Sequence, residues 1–280
     1  MRKTLHLLTT ALLLCCFAAK AADRDTLHIL CIGNSFSWDA VEQELAPICA
    51  SAGQPILIGN LYYGGCSLEQ HYRFLDSDTA AYSFRLIENG VRTIHEPYTL
   101  RQALRLCQWN YISFQQASHD SGIQSSYEPY LSQLIDSVRI YQPQAQLCWL
   151  QTWSYSQEAT HPAFPRYAQS QSIMNDSILA CTRYVLHNHS TLLLIPCGTA
   201  IQNARHTLGD TLCRDGYHLN YIYGRYTASC VWYEILTGRT CLTIPYRNAD
   251  MTKKQQKQTQ KAAHRAVKHP FKQKNTKKSR

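Results

Sequence analysis

The chain has 280 residues, 45% of them hydrophobic, with 28 Lys/Arg against 19 Asp/Glu and 12 Cys. This length suits one α/β domain with a sizeable core and excludes a second independent domain of ordinary size. The basic surplus is local: residues 253–280 carry 11 Lys/Arg and no acid, whereas residues 22–252 carry 14 Arg, no Lys and all 19 acids, so the folded part is mildly acidic.

In chain order, residues 1–22 read as a signal peptide: Arg2 and Lys3, an apolar stretch from Leu5 to Ala18, then Ala19-Lys20-Ala21. The stretch is too short for a membrane span, so the expected destination is the periplasm or the exterior. Leu14 before Cys15 fits a lipid anchor poorly. Short apolar runs then recur at Leu27–Ile32, Ile56–Tyr62, Tyr111–Phe114, Leu147–Leu150 and Leu192–Ile195. Segments of helical period stand between them: Ala40–Ser51, Thr99–Cys107, Tyr130–Tyr141 and Tyr167–His187. This order predicts a five-stranded parallel sheet with helices on both faces. Asp76–Pro97 follows neither period and stays unassigned, and Tyr221–Trp232 reads as the core face of a last helix. The tail, residues 251–280, has almost no large apolar residue and is expected to be disordered. Residues 23–250 are then the folded domain.

Ten cysteines follow the signal, scattered through segments that read as core, which excludes a small cystine-rich scaffold. Cys31 and Cys148 fall inside apolar runs and read as buried thiols, while one or two bridges of undetermined pairing stay open. The chain contains no C-x-x-C and no H-E-x-x-H, so neither a metal site nor a cofactor is expected.

In an open parallel sheet, ligands bind beyond the carboxyl ends of the strands. Gly33-Asn34-Ser35-Phe36-Ser37 leaves the first strand, Gly64-Gly65 the second, Gln115-Gln116 the third, and Trp153 the fourth, so all would gather at one edge. A serine becomes a useful nucleophile only when a base takes its proton, and a carboxylate on the far nitrogen of that base fixes its tautomer. Asp215-Gly216-Tyr217-His218 offers acid and imidazole three positions apart, able to share one turn. Gly64 and Gly65, with bare backbone N–H groups, and the amides of Gln115 and Gln116 are candidate donors to an oxyanion. His71, His119, Trp153 and Tyr155 lie on segments near the same edge and are candidate substrate contacts.

With these residues in place, the sequence resembles the SGNH hydrolase superfamily, the GDSL-like esterases and lipases. Gly33–Ser37 is similar to the first block, with Asn34 where Asp is commonest and Ser35 as nucleophile. Gly64 or Gly65 takes the position of the second-block glycine, and Asp215-x-x-His218 that of the fifth block. The third block departs: Gln115-Gln116-Ala117-Ser118 stands where Gly-x-Asn-Asp is usual, which leaves open the residue that replaces the asparagine donor. The runs Leu61–His71, Gln115–Ser118 and Ile195–Ala200 most resemble a bacterial branch known only as a domain of unknown function.

The resemblance implies a three-layer α/β/α sandwich of flavodoxin-like type and a Ser35/His218/Asp215 triad acting on esters without metal. An α/β-hydrolase elbow would need glycine at Ser37 and a later strand. The expected function is an exported serine esterase removing short acyl groups, O-acetyl above all, from carbohydrate. The alternative is a glycan-binding module with the same fold and little turnover. A glycan or small-molecule ester is the expected partner of a monomer, with the basic tail suited by charge to an anionic polymer or membrane surface. Export argues against nucleic acid.

Overall fold

A computed structural model describes residues 25–273. The expected signal peptide, residues 1–22, and the last seven residues of the basic tail lie outside the described residues. Each of the five apolar runs is a strand. β1 (Leu27–Gly33) leads into α1 (Ser35–Val41) and α2 (Leu45–Ser51), and β2 (Ile56–Tyr62) into α3 (Leu68–Asp76). β3 (Tyr82–Glu88) and β4 (Val91–Tyr98) precede α4 (Leu100–Arg105), β5 (Tyr111–Phe114), α5 (Tyr130–Tyr141) and β6 (Gln146–Leu150). Then come α6 (Gln171–Asn188), β7 (Leu193–Ile195), α7 (Cys197–Leu208), α8 (Gly224–Thr237) and α9 (Lys253–Lys268).

The sheet has seven strands in the order β4-β3-β2-β1-β5-β6-β7, not five. Five are parallel, and β3 and β4 extend them as an antiparallel hairpin on the β2 edge. The hairpin occupies the segment Asp76–Pro97 that showed no period. Every residue of β4 except Tyr98 is exposed, so the strand has no buried face to impose alternation. Its local signal is Asn89-Gly90, two residues at positive φ (51° and 77°) between the paired Glu88 and Val91, the turn that matches strand twist.

Alternate residues of β1 face opposite layers. Ile29 and Cys31 join the core under α1, α2, α7, α8 and α9, while Leu30 and Ile32 join the one under α3, α4 and α5. This is the three-layer α/β/α sandwich that the βαβ order predicts. The stretch expected as one helix over Ala40–Ser51 is two, α1 and α2, separated by a turn at residues 42–44. Thr99 closes a capping box on α4. The ten cysteines among the described residues are free thiols, with Cys31 and Cys148 fully buried.

The tail expected to be disordered instead forms α9, which packs on α7 and α8 and carries the fold past residue 250. Thr252 and Gln255 form a capping box at its start. Its buried stripe is Thr259, Gln260, Ala262, Ala263 and Ala266. Small side chains let the helix approach closely without large apolar residues, which is why composition hid it. Gln260 donates to Tyr226 Oη (3.1 Å), and the amide of Gln273 pairs with Asn175. No helix of the described residues is long and apolar enough to cross a membrane.

Hydrogen exchange read by mass spectrometry should therefore find the amides of residues 257–268 protected. Ala263→Asp, which buries a charge with no partner, should abolish that protection.

Candidate active site

Ser35 is the first residue of α1 and half-buried at the end of β1. Its turn is held by Asn34, the helix N-cap, which is 1% exposed. Asn34 Oδ1 accepts from Phe36 N (3.0 Å) and from Gln115 Nε2 (2.7 Å), and its Nδ2 donates to Cys66 O (3.0 Å). One amide thus ties together the ends of β1, β2 and β5. Gly33 is required by contact: a Cβ there would lie 2.4 Å from Ser37 Oγ and 3.0 Å from Gln115 Oε1.

Asp215 and His218 pair as their spacing suggests, with Oδ2 2.6 Å from Nδ1. Asp215 Oδ1 also accepts the backbone N–H of His218 (2.8 Å) and of Tyr217 (3.2 Å). Burial pushes the Asp215 carboxyl up, but these hydrogen bonds outweigh it and hold the pKa below the ordinary value. With Nδ1–H donating to the carboxylate, Nε2 of the neutral ring is free to act as a base.

The loop carrying this pair is anchored to α1. Asp39, fully buried, accepts from Leu219 N (2.7 Å), from Arg214 Nη1 (3.0 and 3.1 Å) and from Arg225 Nη2. Arg214 also donates to Leu219 O, and its backbone N–H to His218 O (2.8 Å). Trp153 Nε1 donates to Tyr217 O (2.8 Å), and the Trp153 ring stacks on Phe36 at 4.2 Å. Phe36 in turn sets its edge against His218 at 6.2 Å. The residue after Ser35 therefore touches the imidazole, and nucleophile and base candidates share one edge although 183 positions separate them.

The oxyanion candidates divide. Gly64 and Gly65 form an exposed turn after β2, with Gly65 in the left-handed region (φ +64°). Beside Gly64 opens a cavity of about 390 Å³ lined by Tyr62, Tyr63, Tyr82, Ser83 and Pro97. Both glutamines are drawn inward. Gln116 Oε1 accepts from Leu68 N and Ala117 N, and its Nε2 donates to Ser126, which makes it a brace between loops. Gln115 spends a donor on Asn34, and its Oε1 is buried with no partner.

Three of the four candidate substrate contacts are interior. His71 is fully buried with Nδ1 on Tyr82 Oη (2.8 Å), Trp153 is 1% exposed, and Tyr155 is fully buried with its hydroxyl on Ser118. His119 keeps a third of its side chain exposed. Residues that the sequence reading missed stand with it: Tyr217 lies 4.2 Å from the His218 ring, and His161 lies 4.9 Å from Tyr217. His161 sits in an aperiodic loop, so only the tertiary fold reveals its place.

These features, a serine turn after the first strand and an acid–imidazole loop before the last sheet-packed helix, sit on the SGNH hydrolase fold. That fold is shared with a protein from Slackia heliotrinireducens assigned to the SGNH hydrolases (TM-score 0.54, 20% identity, 76% of this chain and 100% of that one). A protein from Parabacteroides merdae ATCC 43184 assigned as a GDSL-like lipase is similar at TM-score 0.51 and 13% identity, over 76% of this chain and 96% of that one. Within this class the chain belongs to the family described as Domain of unknown function (DUF4886), which matches residues 28–266. A DUF4886 family protein from Bacteroides uniformis ATCC 8492 is 41% identical, with TM-score 0.87 over 89% of this chain and 98% of that one. No curated protein matches the chain.

Removing Asp39 leaves the buried Arg225 and the half-buried Arg214 without their carboxylate, so Asp39→Ala should cost about 3–5 kcal/mol in denaturant unfolding. Burial pushes the His71 pKa from 6.5 down to about 3. Its neutral form thus contributes stability that is complete above pH 6.5 and is lost as pH falls towards 3, by up to about 1.4 kcal/mol per unit. Unfolding free energies measured from pH 7 to 4 should fall less steeply for His71→Phe than for the wild type.

Proposed function

We propose that this protein is an exported serine esterase that removes short acyl groups, O-acetyl above all, from carbohydrate. The observation that carries the reading is the Asp215–His218 pair, locked by its own backbone and by Asp39 against the helix that begins at Ser35. Ser35 Oγ attacks the ester carbonyl, and His218 Nε2 takes its proton and returns it to the leaving alkoxide. Asp215 keeps Nδ1 protonated and stabilises the imidazolium. Water then attacks the acyl-enzyme through the same base.

Backbone N–H groups stabilise the oxyanion in this scheme. Ser35 N–H, at the first position of α1, has no intrahelical acceptor, and Gly64 offers a second donor without a Cβ in the way. The half-exposed aromatic and imidazole rings beside His218 support a carbohydrate alcohol, as does the export expected from the sequence. Lys253, Lys254, Lys257 and Lys261 form an exposed strip on α9 where charge would hold an anionic polymer or membrane surface.

One observation favours a second reading, a glycan-binding module with little turnover: the amides of Gln115 and Gln116 are both engaged inside the protein, so neither glutamine of the third block is offered as a donor. Rates on p-nitrophenyl acetate separate the two. Ser35→Ala should abolish all but a residue of activity, Asp215→Asn should lower kcat by about 10² to 10⁴, and a fluorophosphonate probe should label Ser35. Equal rates for wild type and Ser35→Ala would overturn the esterase, and failure of the probe to label Ser35 would favour the module.

A further inference from the structure

Hydrolysis at Ser35, on which this inference rests, makes a geometric demand on the substrate. The leaving oxygen must come within hydrogen-bonding reach of His218 Nε2, because Nδ1 is held by Asp215 at 2.6 Å. The alcohol part of the ester therefore emerges beside the His218 ring, and what lines that surface selects the alcohol.

Three half-buried rings run outward from His218. Tyr217 lies against it at 4.2 Å, His161 meets Tyr217 edge-on at 4.9 Å, and His119 lies nearly parallel to His161 at 6.4 Å and 13°. The strip has a rigid backing. Tyr155, fully buried, packs on His161 at 4.8 Å and on Tyr217 at 5.6 Å, and its hydroxyl is fixed by Ser118 at 3.0 Å. The Tyr217 carbonyl is tied to Trp153, and Gly216 O accepts from Ser156 N (2.7 Å).

The tautomer of His161 is set by its neighbour. Ala163 N donates to His161 Nδ1 at 3.1 Å, so the neutral ring carries its proton on Nε2, a donor with no acceptor among the described residues. Burial, then the charges available to His119 and His218, hold its pKa below the ordinary histidine value and keep the ring neutral at pH 7. His119 is oriented by Asp120 at 3.4 Å, a carboxylate that Arg166 holds at 2.7 Å.

Flat rings with apolar faces and N–H donors at their edges fit a ligand that is apolar on one face and rich in hydroxyl acceptors at its rim. A pyranose has that shape, and a fatty alcohol would leave the donors unpaired. We propose that Tyr217, His161 and His119 form the subsite for the leaving alcohol, and that this alcohol is a pyranose unit of a glycan.

The test uses the full chain, a panel of partially O-acetylated gluco-, manno- and xylo-oligosaccharides, and p-nitrophenyl acetate as a substrate without a sugar. His161→Phe keeps a ring and loses the donor. It should lower the ratio of kcat/KM for the best oligosaccharide to that for p-nitrophenyl acetate about tenfold, through KM, and His161→Gln, which restores a donor, should recover part of the loss. A parallel fall on both substrates, or an unchanged ratio, overturns the subsite. Ser35-dependent hydrolysis of p-nitrophenyl acetate with no oligosaccharide deacetylated also overturns it, while leaving the esterase in place. If no Ser35-dependent hydrolysis occurs but His161→Phe weakens oligosaccharide binding tenfold by calorimetric titration, the rings stand as a pyranose-binding site, while the esterase and the leaving-alcohol role both fall.

Discussion

The candidate site depends on one buried carboxylate. Asp39, a turn beyond Ser35 on α1, gathers Arg214, Arg225 and the backbone N–H of Leu219, and so fastens the loop of Asp215 and His218 to the helix that begins at Ser35. Burial pushes its pKa up, and the arginines work against that shift. A carboxylate taken out of water is costly unless hydrogen bonds satisfy it, and here donors reach both oxygens. The cost imposes a geometry, because few loop conformations present a guanidinium and a backbone N–H to one carboxylate.

A second carboxylate, at the C-cap of the same helix, ties it to other elements. Glu42 receives Asn60 Nδ2 (2.6 Å) from β2 and lies within 3.4 Å of Arg85 and 3.2 Å of Arg92 from the hairpin. Asn60 also accepts from Ser37 Oγ (2.8 Å). α1 is therefore tied to the His218 loop through Asp39 and to β2 and the hairpin through Glu42. Seven residues of helix would be marginal alone; tertiary hydrogen bonds hold it in place.

The altered third block has a physical account in Asn34. With an asparagine at this cap, Oδ1 accepts from both Phe36 N and Gln115 Nε2, and Nδ2 reaches Cys66 O. The glutamine after β5 thus braces the Ser35 turn from behind, while Gln116 secures the loops at Leu68 and Ser126. Two residues that read as donors for a substrate are donors for the scaffold. The candidate donors that remain are backbone N–H groups and the Nε2–H of His161, none of which a motif marks.

Much of the scaffold was legible in the sequence. β-Strands buried on both faces are short continuous apolar runs, so β1, β2, β5, β6 and β7 could be read directly, and Asp215 and His218 pair because three positions span a single turn. Elements without large apolar residues were not legible: β4 is exposed along nearly its whole length, and α9 buries alanine, threonine and glutamine. The position of Ser35 after the first strand was set by local pattern and strand order. The sequence by itself determined the five parallel strands, the helices on both faces of the sheet and the Asp215/His218 unit, because burial and turn geometry leave local signatures. Only the tertiary structure decided which rings lie beside His218 and which amides serve the interior, since those roles depend on partners such as Asn34, Ser126 and Ala163 that strand order and loop packing bring near.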